Sequence, residues 1–200
     1  MADGLALATT PAFTTRAYAA AGGMSVASAS KRLATLEQHG HVERLTRGIW
    51  IIPEHPYFSL YGCVPLLLGG ELGYVSFLSA LQLHGMISQI PKAVQIATTG
   101  LPRVLATRHG RFELFRLHPR MMSEGVEWRD APLPFRLATP EKALLDTLYL
   151  STRRGRRFGT LPEIELPARF RRGEFARLAR TQIPLNPVRS AVMNRFARVA

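Results

Sequence analysis

Ser28, Lys31, Arg32 and Thr35 recur at three- and four-residue spacing in the stretch SVASASKRLATLEQHG, and such a set can grip a polyanion. Lys31 and Arg32 offer donors to phosphate or to guanine O6 and N7, and Thr35 can contact phosphate. Small side chains at Ala27 and Ser28 would let a helix backbone approach the floor of the major groove. Arg44 and Arg47 follow on a short basic run, with Arg47 placed to lie on the DNA backbone or in the minor groove.

Those side chains need a helix and a hairpin to hold them. Ser25 reads as the N-cap, because its hydroxyl can accept from an amide of the first turn. Val26, Ala29, Leu33 and Leu36 form an apolar stripe, opposite Ala27, Ser28, Lys31, Thr35 and Gln38, with Arg32 on the flank. Gly40 stands where a left-handed residue ends a helix. Val42–Leu45 and Ile49–Ile52 read as strands about a Thr46-Arg47-Gly48 turn. Upstream, Thr14 or Thr15 can cap a helix through Ala21 that Gly22-Gly23 stops, with Tyr18 in the core. Helix, glycine turn, helix and hairpin in this order predict a winged helix-turn-helix. A further helix within Leu5–Phe13 is expected to close a three-helix core, although Thr9-Thr10-Pro11 interrupts it. The plainer alternative is an amphipathic helix packed on a hairpin, with its charges simply solvated.

The chain has 200 residues, enough for one or two small domains, and a formal charge of +12. That excess points to nucleic acid as partner. Residues 1–55 carry a net +1, residues 56–150 carry +2 and residues 151–200 carry +9, so most of the charge lies outside the helix and hairpin. Cys63 is the single cysteine, which rules out an intrachain disulfide and fits a reducing compartment. MADGLALATT lacks a basic, apolar signal pattern, and Val64–Leu68 is too short to span a bilayer. The expected location is cytoplasmic, with no membrane partner.

Pro53 and Pro56 mark an expected boundary, giving domains at residues 1–54 and 55–200. The second reads as α+β, as does the chain overall: a small sheet with helices packed on it and C-terminal helices. Its expected parts are a short apolar helix over Leu60–Leu68, a helix capped by Ser76 through His84, and strands at Ala93–Thr98 and Arg111–Leu117. A third strand, Pro134–Ala138, reads as an edge because of its proline. Thr139-Pro140-Glu141 starts a helix to about Leu150, and Glu174–Arg180 and Val188–Val199 close the chain. Ser151–Gly159 is a basic loop whose Arg153, Arg154, Arg156 and Arg157 are either a phosphate-binding set or a solvated charge run.

Three stretches carry a family resemblance: LATLEQHGHVERLTRGIW (Leu33–Trp50), YVSFLSALQLHGM (Tyr74–Met86) and LATPEKALLDTLY (Leu137–Tyr149). In this order they resemble the AbiEi-type antitoxins of type IV toxin–antitoxin, or abortive infection, systems. Trp50 stands where that family usually has tyrosine, and the first helix is poorly marked. The resemblance implies a DNA-binding antitoxin that represses its own promoter, with double-stranded DNA as its direct partner. It also implies a neighbouring nucleotidyltransferase-type toxin, counteracted without the need for a stable complex.

Catalytic and metal patterns are weak. His39-x-His41 and the scattered His55, His84, His109 and His118 lack zinc spacing, and no phosphate-binding glycine loop is present, so no cofactor is expected. Glu141 and Asp146 are five apart on one helix and are explained by capping and solvation. Glu163 and Glu165 flank Ile164, but a nuclease would want more acidic ligands and a lysine, for which Lys142 is the candidate. The alternatives to a non-enzymatic antitoxin are therefore a nuclease-like enzyme targeted by a winged helix, or a solitary ligand-sensing regulator.

Overall fold

Thr14, Ser25 and Thr139 each precede helical residues whose first amides lack an intrahelical acceptor, and each hydroxyl supplies one. In the computed structural model, which describes residues 10–153 and 158–199, Thr14 Oγ1 accepts from Ala17 N at 3.1 Å and Ser25 Oγ from Ser28 N at 3.1 Å. Thr139 Oγ1 accepts from Lys142 N at 3.3 Å. The chain is α+β, with a three-stranded and a six-stranded sheet. Its contacts divide it into two units, each described separately below. The first takes the described part of Met1–Gly69 with Ala106–Gly110 and Asp130–Phe135.

That first unit opens with β1 (Ala12–Thr14), α1 (Thr15–Ala21) and α2 (Val26–Gln38), followed by the hairpin β2 (Glu43–Thr46) and β3 (Ile49–Ile51). Helix α2 ends at Gly40, whose φ of +74° suits glycine, with His41 N donating to Leu36 O at 2.9 Å and Gly40 N to Glu37 O at 3.0 Å. Arg47 and Gly48 make the hairpin turn, with Gly48 at φ +78°. Ala12 and Phe13, expected within a helix, belong instead to a strand antiparallel to β3, with Phe13 opposite Trp50. Pro11 O accepts from Ile52 N at 2.9 Å, so the chain enters the unit extended along β3. Residues 5–9 of that expected helix lie outside the described residues.

Ala29 and Leu33 of the α2 stripe are buried with Phe13, Tyr18, Ala19, Val42 and Trp50, and Leu36 is partly buried. Val26 is the exception at 49% exposed, because the first helical position lies beyond the reach of this core. The unit does not stop at residue 54. Pro53 ends β3, but the chain continues through a 3-10 turn (Tyr61–Cys63) and α3 (Val64–Leu68), and the unit closes at Gly69. Phe58 packs on His109 and Tyr61 on Phe135 within it, at 6.2 and 5.6 Å between centroids.

The second unit takes Gly70–Leu105, Arg111–Arg129 and the described part of Arg136–Ala200. The sheet contains β4 (Gly73–Val75), β5 (Val94–Thr98), β6 (Arg103–Thr107), β7 (Gly110–Arg116), β8 (Val126–Arg129) and β9 (Phe135–Ala138) in the order β6-β7-β5-β4-β9-β8. β4 runs antiparallel to β5 and parallel to β9, and β5 runs parallel to β7. β9 is therefore an interior strand, contrary to the reading from its proline. Pro134 precedes Phe135, so its missing N–H removes no bond from the ladder.

The helices of this unit are α4 (Phe77–Leu83), α5 (Pro140–Ser151), α6 (Arg172–Gln182) and α7 (Asn186–Val199). Every residue of α5 from Glu141 to Leu148 is buried, and α5 packs against α4, α6 and α7. An all-round buried helix should be apolar, yet this one carries three ionisable groups. Glu141 accepts from Arg171 N at 2.9 Å. Lys142 and Asp146, both wholly buried, form an ion pair one turn apart. Asp146 Oδ2 also accepts from Ser76 Oγ at 2.7 Å and from Tyr74 Oη at 3.0 Å.

Capping and solvation thus do not account for Glu141 and Asp146, since neither meets solvent. Ser76 sits at the N-cap of α4 without capping it, because its hydroxyl is turned to Asp146. Gln95 Oε1 accepts from Leu78 N at 2.9 Å instead. Phe77, next to Ser76, has a φ of +54°, a conformation that costs a bulky residue about 1–3 kcal/mol. Its ring meets Phe115 edge-on at 5.0 Å and stacks on Phe158 at 5.4 Å, which holds the turn in place.

Burial pushes the Asp146 carboxyl above its ordinary range and the Lys142 ammonium below its own, while their mutual attraction opposes both shifts. The signs of linkage are opposite. Asp146 contributes stability that is lost as pH rises through its raised value, and Lys142 contributes stability that is lost as pH falls through its lowered one. Lys142→Met should destabilise the protein by about 3–5 kcal/mol, because it strands a buried carboxylate. Lys142→Met with Asp146→Leu should recover part of that loss in chemical denaturation of the full chain. Additive losses from the two substitutions would show that the pair is not coupled.

Candidate nucleic-acid interface

The interface candidate is built on α2 and the β2–β3 turn. Burial of Ala29 and Leu33 fixes the rotation of α2 and turns Ala27, Ser28, Lys31, Arg32, Thr35 and Gln38 outward, all exposed. Ser28 Oγ lies 2.9 Å from Ser25 Oγ, so the first turn presents a pair of hydroxyls beside the cap. Thr35 Oγ1 donates to Lys31 O at 3.2 Å. A phosphate contact through the Thr35 hydrogen would have to exchange that bond, so Thr35 is better set to accept than to donate.

The hairpin is tied to the helices at three points. Thr15 N donates to Gly48 O at 2.9 Å, and Trp50 Nε1 donates to Thr15 Oγ1 at 2.9 Å. Arg44 N donates to Glu37 Oε1 at 3.0 Å, its guanidinium stands 3.8 Å from Glu37 Oε2, and it lies 4.7 Å over the Trp50 ring. Arg44, counted from sequence among the DNA contacts, therefore has an intrachain role in joining β2 to α2. Arg47 is exposed at the tip, and among the described residues neither it nor Lys31 makes a side-chain ion pair.

Arg16 was not among the residues singled out by sequence. It is exposed on α1, and Arg16 and Arg47 are the sequence neighbours of Thr15 and Gly48, which the backbone bond joins. A cation just inside the cap of the leading helix was the available signal. Arg153 is exposed, with its guanidinium 5.5 Å from the Tyr149 ring centre. Arg154, Arg156 and Arg157 lie outside the described residues.

For other chemistry, the described residues hold no group of three His, Cys, Asp or Glu side chains that could bind a metal. Glu163 and Glu165 line a cleft with Gly85, Met86, Ile87 and Ser88, while Lys142 is fully buried and committed to Asp146. Burial pushes the Cys63 thiol up to about 12, away from nucleophilic use. No helix among the described residues is long and apolar enough to cross a membrane. No protein-family model and no curated protein matches the chain.

Arg44 and Arg47 should separate cleanly on substitution. The Arg44–Glu37 pair is exposed and contributes little, whereas the cation over Trp50 contributes about 0.5–1 kcal/mol. Arg44→Gln should lower thermal stability by about that amount, and Arg47→Gln should stay within about 0.5 kcal/mol of the parent. In a duplex-DNA titration, the larger loss should come from Arg47→Gln.

Proposed function

We propose that the chain is a DNA-binding antitoxin of the AbiEi kind, which represses its own promoter through a winged helix-turn-helix. It counteracts a nucleotidyltransferase-type toxin encoded beside it. The observation that carries the DNA-binding part is the outward row of α2: small residues first, then Lys31, Arg32 and Thr35, beside an exposed Arg47. Short side chains at Ala27 and Ser28 allow close approach to base edges, and the cations can read guanine or hold phosphate. The antitoxin part rests on the resemblance of Leu33–Trp50, Tyr74–Met86 and Leu137–Tyr149 to that family. The protein works in the cytoplasm, where its promoter and its toxin are found.

Replacing a base-reading member of the row, by Lys31→Gln or Arg32→Gln, should cost about 1–3 kcal/mol of specific binding and relax preference at one base pair. A double Lys31→Gln, Arg32→Gln chain that binds its promoter unchanged would remove α2 from the interface.

The two activities use different surfaces. Because the first unit includes Ala106–Gly110 and Asp130–Phe135, cutting the chain at residue 54 would break it. Point substitutions in the full chain are the cleaner test. Lys31→Glu with Arg47→Glu should abolish repression of a promoter reporter while still protecting cells that express the neighbouring toxin. Joint loss of repression and protection in a folded protein would refute this separation.

A further inference from the structure

β8 closes one end of the six-stranded sheet and, among the described residues, has β9 as its only strand neighbour. Its residues read Val126-Glu127-Trp128-Arg129, and the last three are exposed. Trp128 is 67% exposed, although its indole is among the largest apolar groups of the chain. A free edge strand offers unpaired backbone donors and acceptors to another strand, and proteins commonly blunt such edges with charged side chains, lysine above all, with proline or with bulges. Here a carboxylate and a guanidinium stand one residue on either side of an aromatic. Among the described residues neither Glu127 nor Arg129 has an ion-pair partner, in contrast to Arg103 at the opposite edge strand, which is held by Glu71 at 3.0 Å.

This pattern is self-complementary. If two β8 strands pair antiparallel about a two-fold axis through Trp128, each Trp128 faces its copy. The residue before it on one strand then faces the residue after it on the other. Glu127 of each copy meets Arg129 of the other, twice over, on one face of the joined sheet. The two indoles meet on the opposite face, since side chains alternate along a strand. Opposite charges and aromatic pairs directly across strands are both stabilising, and like charges there are destabilising. Shifting the register by one residue breaks both ion pairs and separates the indoles. The sequence therefore favours one register.

We propose that β8 is a homodimer interface, in which a second copy of this chain adds its own β8 antiparallel across the edge and continues the sheet. This inference does not depend on the DNA-binding reading. The test is the oligomeric state of the full chain by analytical ultracentrifugation over a wide concentration range. The parent should dimerise, and the Trp128 fluorescence should shift to the blue with association, against a constant contribution from buried Trp50.

Arg129→Glu sets carboxylates opposite one another, and Glu127→Arg sets guanidinium groups opposite one another. Each should weaken the dimer by about tenfold or more. The exchange Glu127→Arg with Arg129→Glu restores opposite charges across the axis and should restore dimerisation. All three sites are exposed, and unchanged circular dichroism would confirm that the variants fold. A chain that stays monomeric throughout overturns the proposal. So does a dimer that ignores the single reversals, or an exchanged pair that fails to recover.

Discussion

The Lys142–Asp146 pair is the constraint on which the second unit depends. A charge pair deprived of water is tolerated only where geometry is good and the remaining lone pairs are met. Tyr74 of β4, Ser76 at the turn after it, and Lys142 one helical turn back on α5 all converge on the one carboxylate. The lysine also stands 5.5 Å from the centre of the Tyr74 ring, which adds a cation–π contact to a site without solvent. Meeting these demands together fixes the depth and rotation of α5 against β4. It also explains the turn into α4, where Ser76 gives up its capping role and Phe77 takes a strained backbone angle. An apolar core would let α5 slide or rotate at modest cost; a buried ion pair with two further donors would not.

In the first unit, placement depends instead on neutral groups. Two wholly buried side chains, Ala29 and Leu33, set the rotation of α2, and the cap and glycine stop set its length. Thr15 then acts twice, donating through its amide to the hairpin turn and accepting from Trp50 through its hydroxyl. One residue thereby fixes the hairpin to the start of α1. Trp50 needs such an acceptor, since a buried indole N–H without one is costly. The outward row on α2 and the hairpin tip are consequently held on a common frame.

Local signals were the legible ones. Hydroxyl caps before α1, α2 and α5 and the glycine stop after α2 are written within a few residues, and the structure agrees with each; the hairpin turn falls where Thr46-Arg47-Gly48 put it, with Thr46 drawn into β2. Long-range pairing was not legible. β4, β6 and β8 are three to five residues long, and β6 and β8 show no buried face, so nothing in their periodicity marks them. Pro134 suggests an edge, but a proline says only that its own N–H is missing, not which strands lie beside it. Asp146 read as a surface residue because partners for a buried charge lie about 70 positions away at Tyr74 and Ser76. Its i to i+4 spacing from Lys142, inside the apolar run ALLDTLYL, was the one local hint.

Net charge and electrostatic face also part company here. Residues 1–55 are almost neutral, at a net +1, yet their carboxylates are not spread evenly. Glu37 is held against Arg44, and Glu43 lies 2.9 Å from His109, while Lys31 and Arg47 keep their charges without such partners among the described residues. A nearly neutral segment can thus present a cationic side. The last quarter behaves in the opposite sense. Its +9 includes Arg177, bridged to Glu124 at 2.6 Å and Glu174 at 2.7 Å, and Arg171, 3.7 Å from the buried Glu141. Two of these carboxylates come from outside the segment, so part of its excess is met within the fold. What a polyanion encounters is therefore set by which carboxylates fold back onto which arginines. On that criterion the near-neutral helix and hairpin rank above their formal charge, and the C-terminal segment ranks below it.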